Sequence, residues 1–105
     1  MDKSKAIETV QRYLKIITRK YQIEDAFIFG SYALGTQRQD SDIDLAIVFK
    51  SVDDIIDLQI ELMSIRTDED LLIEPHPFSE KDFNLSDPVV SEILKTGIKI
   101  PSPAA

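Results

Sequence analysis

The chain contains no cysteine among its 105 residues, so disulfide bonds and thiolate metal sites are excluded. Long apolar runs are also missing, and no segment approaches the roughly 18 to 20 apolar residues that span a bilayer. The first residues, MDKSKAIETV, lack the apolar core of a signal peptide. We therefore expect a cytoplasmic protein that does not contact membranes.

Basic residues are scarce as well, with 12 Lys and Arg against 19 Asp and Glu and a net charge of -7. Because an acidic surface repels a phosphate backbone, tight sequence-independent binding of nucleic acid is not expected. The charge leaves open a polyanionic small molecule that arrives with a divalent cation. It also leaves open a basic protein partner.

The order of apolar patterns predicts a single small domain over residues 1–105, with a core at about 3–100 and a flexible tail at 101–105. The fold class is α/β or α+β, in which helices cover one face of a small mixed β-sheet. The predicted elements are a helix from Lys3 to Tyr21 capped by Ser4, a strand at 26–29, a short helix at 32–34 capped by Ser31 and ended by Gly35, a strand at 43–49, a helix from Ser51 to Arg66, a strand at 71–78, a helical turn at 79–83, a helix from Asp87 to Gly97 and a strand at 98–100.

Two of these elements carry further predictions. Apolar residues of the helix from Ser51 to Arg66 spread over more than one face, so part of its surface should stay unburied by this domain alone. Pro75 and Pro77 cannot donate to a β-ladder, which places the third long strand at a sheet edge or makes this region its end.

Asp42 and Asp44 open the second predicted strand, and alternation along a strand points them the same way. Two such close carboxylates repel each other unless a cation lies between them. Mg²⁺ fits because it prefers oxygen ligands and often combines one or two carboxylates with substrate phosphates. The alternative is an acidic strand start that is simply solvated.

Gly30 and Ser31 end the preceding strand. Glycine allows a ligand to approach the backbone, and the free N–H groups of a following helix attract anions. An ordinary turn with a serine cap is the alternative for this pair alone. Neighbouring strands would bring this phosphate cradle and the aspartates to one site.

Glu74 is the preferred third carboxylate of a two-metal clamp, because a lone glutamate within an apolar strand is otherwise hard to explain. Asp70 is the alternative, although its turn is expected to be solvated. His76 could line the site or play a structural role, and Arg38 could reach a phosphate or remain a solvated loop residue.

The spacing of Gly30-Ser31, ten residues and then Asp42-Ile43-Asp44 resembles the GSX10DXD motif of minimal nucleotidyltransferases in the DNA polymerase β-like superfamily. The longer pattern GSxAxGxxxxxSDxDL is matched as well. The resemblance implies transfer of AMP from ATP to a hydroxyl. It implies that Asp42, Asp44 and Glu74 hold Mg²⁺, with two ions expected, and that Gly30 and Ser31 contact the β- and γ-phosphates.

The same resemblance implies a partner. Minimal nucleotidyltransferases are often encoded beside a HEPN-domain ribonuclease toxin and act as its antitoxin by adding AMP to a tyrosine, so a hetero-oligomer is expected. Two other functions stay open: a non-catalytic antitoxin that neutralises its toxin by binding, and transfer of a nucleotide to a small molecule.

Overall fold

Four strands form one mixed sheet in the order β3-β2-β1-β4 in this computed structural model, which describes residues 1–101. Strand β1 spans Ile23–Phe29, β2 Ile43–Phe49, β3 Ile73–Ser79 and β4 Ile98–Lys99. Strand β1 pairs antiparallel with β2 and with β4, whereas β2 and β3 are parallel. The predicted mixed sheet is confirmed, and β3, which carries both prolines, lies at an edge as predicted.

Four α-helices accompany the sheet in the described part of the chain: α1 at Lys3–Ile17, α2 at Ser31–Leu34, α3 at Ile55–Ser64 and α4 at Pro88–Thr96. Short 3-10 turns at Asp68–Asp70 and Glu80–Asp82 precede and follow β3. None of these helices is long and apolar enough to cross a membrane. The predicted flexible tail lies, from residue 102 onward, outside the described residues.

Helices α1 and α3 cover the first face of the sheet. Alternate residues of the strands, such as Ile43, Leu45 and Ile73, are fully buried there against Val10 of α1 and Leu62 of α3. The Tyr13 hydroxyl donates to the carbonyl of Leu62, and burial raises the pKa of this hydroxyl. This face holds most of the core.

The expectation that helices cover one face of the sheet is met by α1 and α3, but a further helix covers part of the other face. Helix α4 lies against the second face, where its Ile93 packs with Phe27 and Ala46. Phe78 and Phe83 border this smaller cluster, and Phe83 stacks on Phe27 with ring centroids 5.6 Å apart. Side chains alternate between the two faces along each strand, so aromatic residues such as Phe27 point to the second face. Helix α4 covers this face because burial of these apolar side chains is favourable.

Several predicted helix boundaries shift by a few residues. Helix α1 ends at Ile17 rather than Tyr21, and Asp2 rather than Ser4 caps it by accepting from the backbone N–H of Lys5 at 2.7 Å. Tyr21 instead packs edge-on against Phe49 of β2, with ring centroids 5.7 Å apart. Tyr21 therefore packs on the sheet instead of extending the helix.

Two further predicted caps are wrong. Helix α3 begins after Asp54, whose side chain accepts from the N–H groups of Ile56 and Asp57 at 3.0 Å, and not at Ser51. Gly30, not Ser31, occupies the N-cap of α2, and no side chain caps that helix. The serine is therefore the first residue within the helix.

The outer surface of α3 remains in contact with solvent. Its large apolar members are Ile55, Ile56, Ile60 and Met63, with exposed fractions of 44, 68, 61 and 38%. The prediction that this domain does not bury all of the helix is confirmed. These four residues are called the α3 outer surface below.

Candidate functional site

The turn that follows β1 and the start of β2 lie in direct contact. Phe29, the last residue of β1, is the register partner of Asp44, so Gly30 emerges beside the Asp44 side chain. Gly30 has φ 74° and ψ -145°, a conformation that is essentially restricted to glycine. A Cβ at this position would lie 2.5 Å from Asp44 Oδ2. The glycine thus allows the phosphate-cradle candidate to approach the carboxylate.

The second carboxylate of the site comes from β3. Glu74 is the register partner of Asp44 in the parallel pair, so both side chains lie on the second face of the sheet. Both are partly exposed, and Asp42 is exposed two residues before Asp44. Three of the predicted site residues therefore lie at the same end of adjacent strands.

The carboxylates do not form a completed metal cage. Within residues 1–101, no three His, Cys, Asp or Glu side chains are grouped closely enough to hold a metal ion. Their chemistry nevertheless suits Mg²⁺, which takes few protein carboxylates and completes its shell with water and substrate phosphates. The space that a Cβ at Gly30 would fill is next to Asp44, where a phosphate oxygen could share such an ion.

Asp70, the alternative third carboxylate, is engaged elsewhere. It is buried rather than solvated as expected, with only 4% of its surface exposed. Its Oδ2 accepts from the backbone N–H of Thr67 at 3.1 Å and from the Thr67 hydroxyl at 2.9 Å. The Asp70 carboxylate is therefore engaged in closing its own 3-10 turn, and Glu74 remains the proposed third carboxylate.

His76 lies closer to the predicted chemistry than the sequence indicated. It follows Glu74 by two residues on the same face, and its Nε2 lies 3.2 Å from Asp44 Oδ1. Its ring also contacts Phe29 edge-on, with centroids 5.1 Å apart. The alternation of β3 could have placed His76 on the Glu74 face, but only the parallel register with β2 brings it to Asp44.

Arg38 and Ser31 are the remaining predicted site residues. Arg38 is exposed in the loop between α2 and β2, where its backbone N–H donates to the hydroxyl of Ser41 at 2.7 Å. Ser31 is partly exposed at the start of α2. Gly30 lies against Asp44, and Asp44 is in register with Glu74, while Ser31 and Asp42 are near them along the chain. Arg38 lies in the loop that connects α2 to β2.

A carboxylate pair in strand register beside a glycine turn that opens a helix is typical of a site for transfer of phosphate-bearing groups. The family model described as "Polymerase beta, Nucleotidyltransferase" matches residues 11–103. The chain belongs to this family, and the resemblance noted in the sequence is confirmed.

Curated relatives carry related names. One from Methanocaldococcus jannaschii, named "putative protein adenylyltransferase", is 40% identical over 42 residues, or 40% of this chain and 42% of the relative. A second with the same name and source is 31% identical over 67 residues. That alignment covers 58% of this chain and 68% of the relative. The chain therefore spans less than half of the first relative and about two thirds of the second.

Solved structures share the fold. A "putative nucleotidyltransferase" from Sulfolobus solfataricus superposes with a TM-score of 0.69 at 19% identity, covering 96% of this chain and 84% of that one. A structure described as a toxin-antitoxin with AMP-PNP has a TM-score of 0.58 at 20% identity, covering 93% and 74%. At these identities the comparisons support the nucleotidyltransferase fold, which confirms the predicted fold class.

Proposed function

We propose that this protein is a Mg²⁺-dependent nucleotidyltransferase that transfers AMP from ATP to a hydroxyl group of a protein partner. The observation that carries the proposal is the contact of Gly30 with Asp44, in register with Glu74. It joins a phosphate cradle to a pair of carboxylates at one end of adjacent strands. Membership of a nucleotidyltransferase family supports the same chemistry.

Each residue has a defined part in this proposal. Gly30 and Ser31 receive the β- and γ-phosphates through backbone N–H groups at the start of α2 and the serine hydroxyl. Asp42, Asp44 and Glu74 would hold two Mg²⁺ ions, and Arg38 is placed in a loop from which a long side chain could reach a phosphate. When bound, Mg²⁺ supplies charge stabilisation at the phosphates and lowers the pKa of the attacking hydroxyl.

The acceptor we propose is a tyrosine of a HEPN-domain ribonuclease toxin, which makes this protein its antitoxin. The exposed α3 outer surface supports a protein partner, because isolated domains seldom leave large apolar patches in water. Fold neighbours include toxin-antitoxin structures, and curated relatives are named protein adenylyltransferases. The net charge of -7 suits a basic partner. A single domain and a cytoplasmic location belong to the same proposal.

Incubation of this protein with Mg²⁺, ATP radiolabelled at the α-phosphate and the product of an adjacent HEPN gene tests the proposal, since pyrophosphate leaves and AMP stays on the acceptor. We expect label on a partner tyrosine. The double variant Asp42→Asn with Asp44→Asn should reduce labelling at least about 1000-fold, because several kcal/mol of charge stabilisation are lost and each 1.36 kcal/mol is tenfold in rate. Circular dichroism should show an unchanged fold.

Three outcomes separate the alternatives. Undiminished labelling by the double variant would contradict the assignment of the aspartates. Label on a different acceptor, with none on the HEPN protein, would overturn the toxin assignment. If the double variant still protects cells from the toxin, binding alone is sufficient and catalysis is not the antitoxin activity.

A further inference from the structure

We infer that His76 is a positioning residue that sets the rotation of the Asp44 carboxylate. The inference rests on the proposed function but concerns a side chain outside the Gly-Ser and Asp-x-Asp motif. His76 is joined to Asp44 by the 3.2 Å contact of Nε2 with Oδ1. Because the other carboxylate oxygen, Oδ2, faces Gly30, the two oxygens of Asp44 have different neighbours.

The sheet fixes the direction of this contact. His76 pairs in register with Ala46, and Asp44 is two residues earlier on the same face. The edge-on contact with Phe29 holds the imidazole plane from the side of β1. The ring therefore approaches Asp44 diagonally across β2 and β3, a direction set by the parallel register and by the contact with Phe29.

The consequence concerns the free oxygen of the carboxylate. With Oδ1 occupied by the imidazole N–H, Oδ2 remains directed at the turn of Gly30 and Ser31, where the phosphates would lie. A carboxylate that rotates freely would present this oxygen only part of the time. Partners that orient ligand side chains in this way typically change metal affinity by about 10- to 100-fold.

The contact can be tested without any activity measurement. His76 is the only histidine, so every imidazole signal in a ¹H–¹⁵N spectrum comes from this ring. We expect the neutral ring to carry its proton on Nε2, because a carboxylate oxygen can only accept. Asp44→Ala should shift the ¹H and ¹⁵N signals of the Nε2–H group, because its acceptor is removed, whereas Asp25→Ala, in β1, should leave them unchanged. A proton on Nδ1 in the wild-type protein would overturn the inference.

Binding of Mn²⁺ together with AMP-PNP, followed by electron paramagnetic resonance, tests the consequence. We expect His76→Ala to weaken binding of Mn²⁺ about 10- to 100-fold. His76→Gln, whose amide nitrogen can replace Nε2, should restore most of the affinity, and both variants should melt near the wild-type temperature.

Contrary outcomes are distinct. Wild-type affinity in His76→Ala would overturn the positioning role while leaving the proposed function intact. Equal losses in the alanine and glutamine variants, together with lower melting temperatures, would assign His76 a structural role instead. If wild-type protein binds no Mn²⁺ with AMP-PNP, the proposed function fails and this inference fails with it.

Discussion

The two faces of strand β2 differ in what their residues do. On the first face, Ile43, Leu45 and Ile47 are fully buried under α1 and α3. On the second face, Ala46 is buried against Ile93, but Asp44 at the start of the strand is one-third exposed and contacts His76. One face of this seven-residue strand therefore belongs to the hydrophobic core. The first residues of the other face belong to the candidate site.

This difference explains how a small domain keeps a charged site without losing its core. Like charges in adjacent strands weaken a sheet, and Asp44 and Glu74 are register partners. The cost falls at the open end of the second face, where water still reaches both side chains. The buried strand residues of the first face, such as Ile43, Leu45 and Ile73, are apolar, and they stabilise the fold through burial of apolar surface.

The largest expected difference in stability is between substitutions at two adjacent residues of β2, Asp44 and Leu45, whose side chains lie on opposite faces. Leu45→Ala should lower the free energy of unfolding by about 2–5 kcal/mol, because it leaves a cavity in a fully buried layer. Asp44→Asn, one residue away, should leave stability unchanged or raise it while nucleotide transfer is lost. Urea unfolding followed by circular dichroism measures both. A large loss of stability in Asp44→Asn would contradict the division between the faces.

An intermediate effect on stability is expected at Gly30, in the turn between β1 and α2. Gly30→Ala forces a Cβ against Asp44 and a side chain into a glycine conformation, at a cost of about 1–3 kcal/mol and with loss of ATP binding. Gly35→Ala is the matched control, because it has the same φ of 74° but no atom within 4 Å of the added Cβ. It should cost about 1–2 kcal/mol and leave ATP binding intact. Equal losses of ATP binding, measured by calorimetry, would show that strain alone matters.

The smallest effect on the fold is expected on the outer side of α3. Ile56→Asp with Ile60→Asp should change stability by less than about 0.5 kcal/mol per site, because both side chains are exposed. If the proposed HEPN partner binds this surface, the same change should weaken the complex at least about tenfold, because charged side chains would replace apolar ones at the interface. Leu85→Asp, at a 71% exposed position away from α3, is the control. Gel filtration and calorimetry report both quantities, and equal affinity in all variants would remove α3 from the partner interface.

Much of the site could be predicted from the sequence because its signals are local. The spacing from Gly30 to Asp44 is a chain property, and strand alternation already separates Asp44 from Leu45. Helix boundaries were less predictable. Asp2 and Asp54 cap their helices at positions that differ from those of the nearby serines, and Tyr21, beyond the end of α1, packs against Phe49.

By itself, the sequence determined the order of elements and the family to which the chain belongs, and it limited the proline-bearing strand to a sheet edge or a strand end. Tertiary structure decided which residues at distant positions meet. The parallel register of β2 with β3 places Glu74 beside Asp44 and brings His76 within reach of it, and it is long-range pairing that sets this register. The same folding buried Asp70 in its own turn and moved α4 to the second face. The physical reason is that alternation assigns each side chain to a face, but only pairing between strands determines its neighbours across the sheet.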